Sequence, residues 1–581
     1  MGRMLEAIRN VRLPQIPVPQ TGRLIAFSVL IGVVGGLGAQ LFIWMLSVAN
    51  GLFLHGIAGY LPPGIPSEGG SAEQVVGPHG RWLIPICTTL GGLLSGLIVF
   101  RFAPEAEGHG TDSAVRAFHH QNGAIRGRVP LIKAIASAIT IGSGGSAGRE
   151  GPGAQISAGF GSVLAEWFSC SPTERRWLML VGVAAGLAAI FRSPLGSAIF
   201  AVEVLYGSME FEARALLFTM IGAITGYAVN GFFVGYEPIF LVDRAATFHR
   251  TGELWWYAIL GIVTGIAASF VPYVFYKARE LFRKLPGPRL LQPALGGLMV
   301  GVLGLALPQI LGGGYGWMQR AINGEFPLYL LLVLAVAKLF AMSFTVSSGG
   351  SGGVFAPSMY VGTCLGAAMA TAVNLIFPHE ALSVPAFAVV GMAALFSGAA
   401  RVPMATMFMV VEMTGGYGLM VPAMLAVTMS YMVQYSLTRG RRYKSLYEAQ
   451  VATVGDSPVH HEEYVNKVLD LINAGRARMP REATPIRLEQ LLMMGRPIPV
   501  SGTGRSIVLA RVRNGAPASG VPLKDRPFGG EISLITILRG DKQVTPGPNV
   551  AVQDGDRLIV MLNPEGYDAA SDSLELIGPV Q

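Results

Sequence analysis

Between residues 24 and 437 the chain returns again and again to long apolar runs, and a chain of that kind folds with lipid around it. The clearest runs are Leu24–Leu54, Leu83–Phe100, Trp177–Ile190, Ala215–Val234, Trp255–Tyr276, Ala294–Leu311, Leu328–Phe344, Ala386–Leu395 and Leu419–Met432. Several reach the roughly 20 residues that span a bilayer. Others are shorter and are broken by glycine or proline. A broken helix survives at membrane depth only where protein or a watery cavity meets its freed backbone groups, so the breaks are where function is expected. Charge content agrees: 13% of residues are charged, against about 25% in soluble domains. Glycine, at 76 residues and without a collagen period, suits closely packed membrane helices. Cys87, Cys170 and Cys364 are too dispersed for a disulfide framework or a metal site and read as buried free thiols.

Arg3, Arg9 and Arg12 precede a proline-broken stretch, Pro14 to Pro19, so residues 1–22 read as a cytoplasmic lead-in rather than a cleavable signal. Arg439, Arg441, Arg442 and Lys444 cluster at the end of the last apolar run and mark its cytoplasmic side. Both termini are therefore expected inside, in an inner or plasma membrane of prokaryotic type. The net charge of +8 belongs largely to such flanks and implies no nucleic-acid partner. Residues 23–450 form the expected membrane domain, in halves of 23–235 and 250–450. Residues 451–500 read as a linker with a helix, since Val465, Val468, Leu469 and Ile472 share one face of Glu462–Ile472. Residues 501–581 read as a small soluble domain with candidate strands Ser506–Val512, Ile532–Leu538 and Arg557–Leu562. The fold class is thus an α-helical polytopic membrane protein with a small cytoplasmic α+β domain.

Within the membrane part the sequence repeats. Ser143-Gly-Gly-Ser-Ala-Gly-Arg-Glu-Gly-Pro152 matches Ser348-Gly-Gly-Ser-Gly-Gly-Val-Phe-Ala-Pro357 at six of ten positions, 205 residues on. Gly186 to Phe191 matches Gly391 to Phe396 at the same offset, and Pro194 to Glu203 matches Pro403 to Glu412 after a four-residue insertion. Two related halves are a transporter plan; when the halves are inverted, their broken helices meet near the bilayer midplane and build the ion site.

An anion leaving water needs a replacement for its hydration shell, and full positive charges would hold it too tightly to permit flow. Helix N-termini offer free N–H groups and the positive end of a helix dipole. Each repeat copy supplies one, with proline near the start of the helix where its missing N–H costs nothing. Residues 148–152 and 353–357 are therefore candidate facing anion cradles. The plainer reading, that the glycines only let helices pack, is weakened by their recurrence in register across the repeat. Glu150 is the anomaly. A carboxylate at a positive helix end in apolar surroundings either acts or is paired. It can fill the place an anion would take and leave when protonated, which makes it a gate.

These residues also carry a resemblance. Gly148-Arg149-Glu150-Gly151-Pro152 and Gly353-Val354-Phe355-Ala356-Pro357 resemble two signature motifs of the CLC family of anion channels and anion/proton exchangers. Glu107 to Asp112 sits where the family's first motif is expected, and Tyr447 resembles its pore tyrosine. The resemblance implies a homodimer with one pore per subunit, built from an inverted repeat, with chloride as the transported ion. It implies chloride contacts from Gly108, His109, Gly110, Arg149, Gly151, Gly353, Val354, Phe355, Ala356 and Tyr447, with Glu150 as the gating glutamate.

The chain departs from the family pattern in three places. His109 replaces a serine, and Thr111-Asp112 replaces Ile-Pro. The internal proton-relay position of family exchangers falls on Val204, which is not acidic; Glu203, one residue earlier, points about 100° away on a helix. The run Ile532 to Asp541, followed by Pro546 to Asn549 and Asp554 to Val560, resembles the TrkA-C subdomain of RCK potassium-transport regulators rather than the paired CBS modules of many CLC proteins. It implies regulation by a small ligand, a nucleotide for example, with a passive assembly domain as the alternative. The lead reading is chloride conduction gated by Glu150, with chloride/proton exchange next and a fluoride-selective transporter third. No metal site, cofactor or enzymatic nucleophile–base pair is expected, and the Thr-Val-Gly-Tyr-Gly filter of a potassium pathway is absent.

Overall fold

Each of the nine apolar runs is mostly helix. The computed structural model describes residues 20–459, apart from 72, 78–80, 243–247 and 249, and, further on, 492, 498–500, 505–525, 532–539, 542–562 and 574–576. The lead-in through residue 19 and the expected helix at Glu462–Ile472 lie outside the described residues. The chain divides into two units, Met1–Ser457 and Pro458–Gln581, each with its own apolar core.

Apart from one short hairpin, the regular structure of the first unit is helical. In order come α1 (Gln20–Asn50), α2 (Ile84–Phe102), α3 (Thr111–His120), α4 (Arg128–Gly142), α5 (Glu150–Trp167), α6 (Pro172–Phe191), α7 (Pro194–Glu203) and α8 (Ala213–Val234). The second half follows as α9 (Leu254–Lys284), α10 (Gln292–Ala306), α11 (Tyr315–Ile322), α12 (Leu328–Ser347), α13 (Phe355–Ile376), α14 (Val384–Ala400), α15 (Pro403–Thr414) and α16 (Met420–Thr438). Helix α1 begins at Gln20, so the last residues of the expected lead-in already belong to it. Among the described residues, eight helices are long and apolar enough to cross a membrane, and this is a multi-pass membrane protein. Large apolar side chains such as Leu217, Ile224 and Phe233 lie exposed, as lipid-facing positions do.

The repeat is visible helix by helix. Helices α2 to α8 correspond to α10 to α16, and two of these pairs, α2 with α10 and α7 with α15, pack directly on each other. Both glycine-rich breaks turn through a residue in the left-handed region, Gly144 and Gly349, each at φ +102°. The breaks then meet: Gly148 N–H donates to Gly353 O and Gly353 N–H to Gly148 O, both at 2.7 Å. This bridge is antiparallel, so the two copies approach in opposite directions, as inverted halves do.

The second unit is an antiparallel sheet whose strand order is β3 (Ile498–Val500), β4 (Arg505–Val512), β7 (Arg557–Leu562), β5 (Ser533–Arg539) and β6 (Lys542–Val544), with β8 (Leu574–Leu576) also on β4. A short hairpin in the first unit, β1 (Tyr60–Leu61) with β2 (Val75–Val76), completes the numbering. Val508, Val512, Ile537, Leu558 and Val560 build the tail's core.

Candidate functional site

The site grows out of the junction between α5 and α13. Glu150 and Phe355 are the first residues of these helices, and both lie against the Gly148–Gly353 bridge. Pro152 and Pro357 are each the third residue of their helix, where no intrahelical N–H is missed. The two cradles are therefore adjacent, with their free amides converging.

Glu150 is fully buried. Its carboxylate faces the amides of Ala356, Arg149 and Glu150 itself, yet neither oxygen makes a hydrogen bond of standard geometry. The negative group thus sits at the positive ends of α5 and α13, held by dipoles rather than by a tight partner. The side chain of Arg149 turns elsewhere. Its guanidinium donates to both oxygens of Glu68, at 3.0 and 2.5 Å, and lies 4.8 Å over the Tyr315 ring. Only the backbone of Arg149 faces the cradle.

Gly108, His109 and Gly110 form the loop before α3, tied to the second break by Gly108 N–H to Gly350 O and Gly352 N–H to Gly108 O, both 3.2 Å. The backbone of the loop presses close to Gly151; a Cβ on Gly151 would stand 1.9 Å from the His109 carbonyl. His109 is 7% exposed, its Nδ1 is buried without a partner, and its ring is 5.4 Å from that of Tyr447. It also lines a cavity of about 120 Å³ with Asp112, Phe275 and Ser347. Tyr447 is buried beside Thr111 and within 6.3 Å of the Phe200 ring. Phe355 packs on Phe191, Phe200 and Phe396. Val354 and Ala356 are buried at the start of α13. Together these groups surround the two helix starts with mostly apolar side chains, and the polar groups among them are backbone N–H, one imidazole, one phenol and the Glu150 carboxylate.

Residues 91–435 match the family described as voltage gated chloride channel. The chain belongs to this family. Curated relatives include the H(+)/Cl(-) exchange transporter ClcA of Salmonella agona and that of Salmonella arizonae, each 32% identical over 359 residues, covering 60% of this chain and 76% of the relative. Solved structures with the family fold include a slow cyanobacterial Cl-/H+ antiporter (22% identity, TM-score 0.64, 73% of this chain and 96% of that one). Another is a CLC-type fluoride/proton antiporter (21% identity, TM-score 0.61, 76% and 100%). The tail, residues 507–575, matches the TrkA-C domain.

Against the family plan, Val204 follows the last residue of α7, buried and apolar, its carbonyl accepting from Gln450 Nε2 at 3.0 Å. Glu203 is engaged: its carboxylate accepts from the amides of Met404 and Ala405, at 3.0 and 2.7 Å, at the start of α15. Glu412 does the reverse, accepting from the amides of Leu195 and Gly196, at 3.2 and 2.9 Å, at the start of α7. His119 is buried between Ser457 and Leu205, a structural placement. Among the described residues no group of three or more His, Cys, Asp or Glu could hold a metal.

Sequence reasoning missed Lys133 and Lys338. Both are fully buried, and each Nζ holds two backbone carbonyls: Ala106 and Gly108 for Lys133, Ile310 and Gly312 for Lys338. The signal was available, because the two lysines lie 205 residues apart. Asp112 was noted only as a departure; its carboxylate accepts from Ala449 N–H at 2.7 Å and so anchors the loop that carries Tyr447.

Proposed function

We propose that the chain passes chloride through a membrane along the junction of α5, α13 and the 108–110 loop, with Glu150 as its gate and without obligatory proton coupling. Chloride transport is supported by family membership and by the ClcA relatives. The gate rests on one observation: a buried carboxylate set among the amides of both helix starts, without a hydrogen bond of standard geometry to secure it. That is the place an anion would take. When Glu150 is ionised it competes with chloride for those amides; when protonated it loses its attraction to them and leaves the place open. Uncoupled conduction is supported by the relay position. Val204 carries no proton, and the Glu203 carboxylate is occupied by two amides.

Proton-coupled exchange is the second reading, favoured by the exchanger names of the ClcA relatives. The chain pairs with a second copy in either case, and the tail, through its TrkA-C match, takes a small ligand such as a nucleotide.

Chloride efflux from liposomes with simultaneous proton recording separates the two readings. Conduction predicts a reversal potential that follows the chloride gradient alone; a reversal that moves with an imposed pH gradient would establish exchange. In the same assay Glu150→Gln, which keeps the shape of the protonated gate, is expected to pass chloride at a rate that no longer depends on pH. Retention of the original pH dependence in that variant would remove Glu150 from the gate.

A further inference from the structure

A cavity of about 560 Å³ lies between the loop that carries Tyr447, the end of α16 and the residue that follows α14. Four cations line it, Arg401, Arg439, Arg442 and Lys444, against one carboxylate, Glu448. Arg442 and Glu448 are already neutralised from outside: Arg442 pairs with Glu280 at 3.1 Å and Glu448 with Arg279 at 2.9 Å. Among the described residues the other three cations have no carboxylate within ion-pairing distance.

Arg401 is the most telling of them. It is only 5% exposed, and its guanidinium is fixed by neutral groups. Nε donates to Gln434 Oε1 at 3.2 Å, Nη2 donates to Thr438 Oγ1 at 2.7 Å, and the plane lies 4.8 Å over the Tyr435 ring. Nη1 has no hydrogen-bond partner among the described residues. A buried charge without a countercharge is costly, and buried charges are ordinarily paired. Here the cavity is where a countercharge fits. Arg439 and Lys444 are exposed on the rim, so they reach the same space from water.

We infer that this cavity is a binding site for a phosphate-bearing anion. Chloride does not fit the description. A single solvent-sized particle occupies roughly 30 Å³, a small part of the space, and three unneutralised cations would retain a permeating ion rather than pass it. A phosphate group matches the chemistry. Its several oxygens take the unpartnered Nη1 of Arg401 together with the ammonium of Lys444 and a second guanidinium. The cavity has room for whatever the phosphate is attached to. Lys444 and Tyr447 belong to one loop, and both line the cavity, so the ligand would sit beside the ring that flanks His109. The phosphate can come from a soluble compound or from a lipid headgroup.

The test uses the full chain in neutral detergent with chloride replaced by gluconate. Inorganic pyrophosphate, titrated calorimetrically, is expected to bind at one site per chain. The double variant Arg439→Gln/Lys444→Gln, which alters only exposed side chains, is expected to weaken it by about ten-fold or more, the order of one lost charge-assisted hydrogen bond. Arg401→Gln is expected to abolish binding; should it fail to fold, the double variant still decides the question. In a second arm, dioctanoyl phosphatidate and dioctanoyl phosphatidylcholine are compared by thermal shift. If pyrophosphate does not bind, but phosphatidate alone stabilises the unaltered chain and not the double variant, the site stands and its ligand is a lipid headgroup. If neither compound binds, or if binding ignores the double variant, the site is overturned. Because both arms read binding, they are independent of whether transport is coupled to protons.

Discussion

At the scale of single residues, the backbone of the 108–110 loop is aimed by a side chain that lies outside it. The Lys133 ammonium draws in the carbonyls of Ala106 and Gly108, at 3.0 and 2.6 Å. A trans peptide points its C=O and N–H in opposite directions. Turning the Gly108 carbonyl toward Lys133 therefore turns the His109 amide away from it. Lys133→Met removes this donor, while Gly108 O keeps the Gly352 N–H and Ala106 O keeps the Ser351 hydroxyl, so the loss is on the order of 1–3 kcal/mol in all. We expect the variant to melt earlier and to bind chloride more weakly in calorimetric titration. Lys338→Met, at the mirrored position, should lose comparable stability and keep its chloride affinity. Equal affinity in both variants would confine Lys133 to a structural part. The contrast also shows where reading by residue stops. Glu150 and the glycines announce themselves, because a carboxylate and paired glycine breaks are rare in apolar sequence. The placing of Thr111 beside Tyr447 depends on a fold that joins points 336 residues apart, and no local pattern carries it.

At the scale of elements, the short helices α7 and α15 close each other's ends. Glu203 ends α7 and serves the first amides of α15, while Glu412, near the end of α15, serves the first amides of α7. Each carboxylate thus sits at a positive helix end with N–H groups that would otherwise lack partners inside the membrane. The repeat made the two glutamates legible as a matched pair. Their exchange of partners was not legible, because it needs the opposed approach of the halves. Glu203→Gln keeps one acceptor and gives up the charge, so we expect a loss of about 1–2 kcal/mol in stability, with the ratio of protons to chloride moved left as it was. Thermal melting and paired chloride and proton recordings check the two halves of that statement. A changed proton ratio in this variant would make Glu203 a proton carrier in spite of its two amide partners.

At the scale of the whole molecule, two units with separate cores follow different rules, and each can be weakened by its own means. In the membrane unit, periodicity and the 205-residue offset made the architecture readable before any coordinate. The tail gave up three of its strands, since β4, β5 and β7 are short aliphatic and β-branched runs, but the order β3-β4-β7-β5-β6 rests on non-local pairing that local composition does not encode. What joins β5 to the turn before β7 is an ion pair. Asp556 is 3% exposed; it accepts from Arg539 Nε and Nη2, at 3.0 and 2.8 Å, and from the Gln553 amide at 2.9 Å. Hydrogen bonding to Asp556 raises the Arg539 guanidinium above its ordinary value, so the charge of the pair is held firmly. Arg539 remains about one-third exposed, and water recovers part of its charge when the partner is lost. Asp556→Ala should therefore cost the sheet about 1–3 kcal/mol, below the full loss of a deeply buried pair. In the full chain this is expected as faster tryptic cleavage within residues 505–562, followed by mass spectrometry. Cleavage at the unaltered rate would mean that the strand pairing of β7 with β4 and β5, and not the ion pair, holds the tail closed.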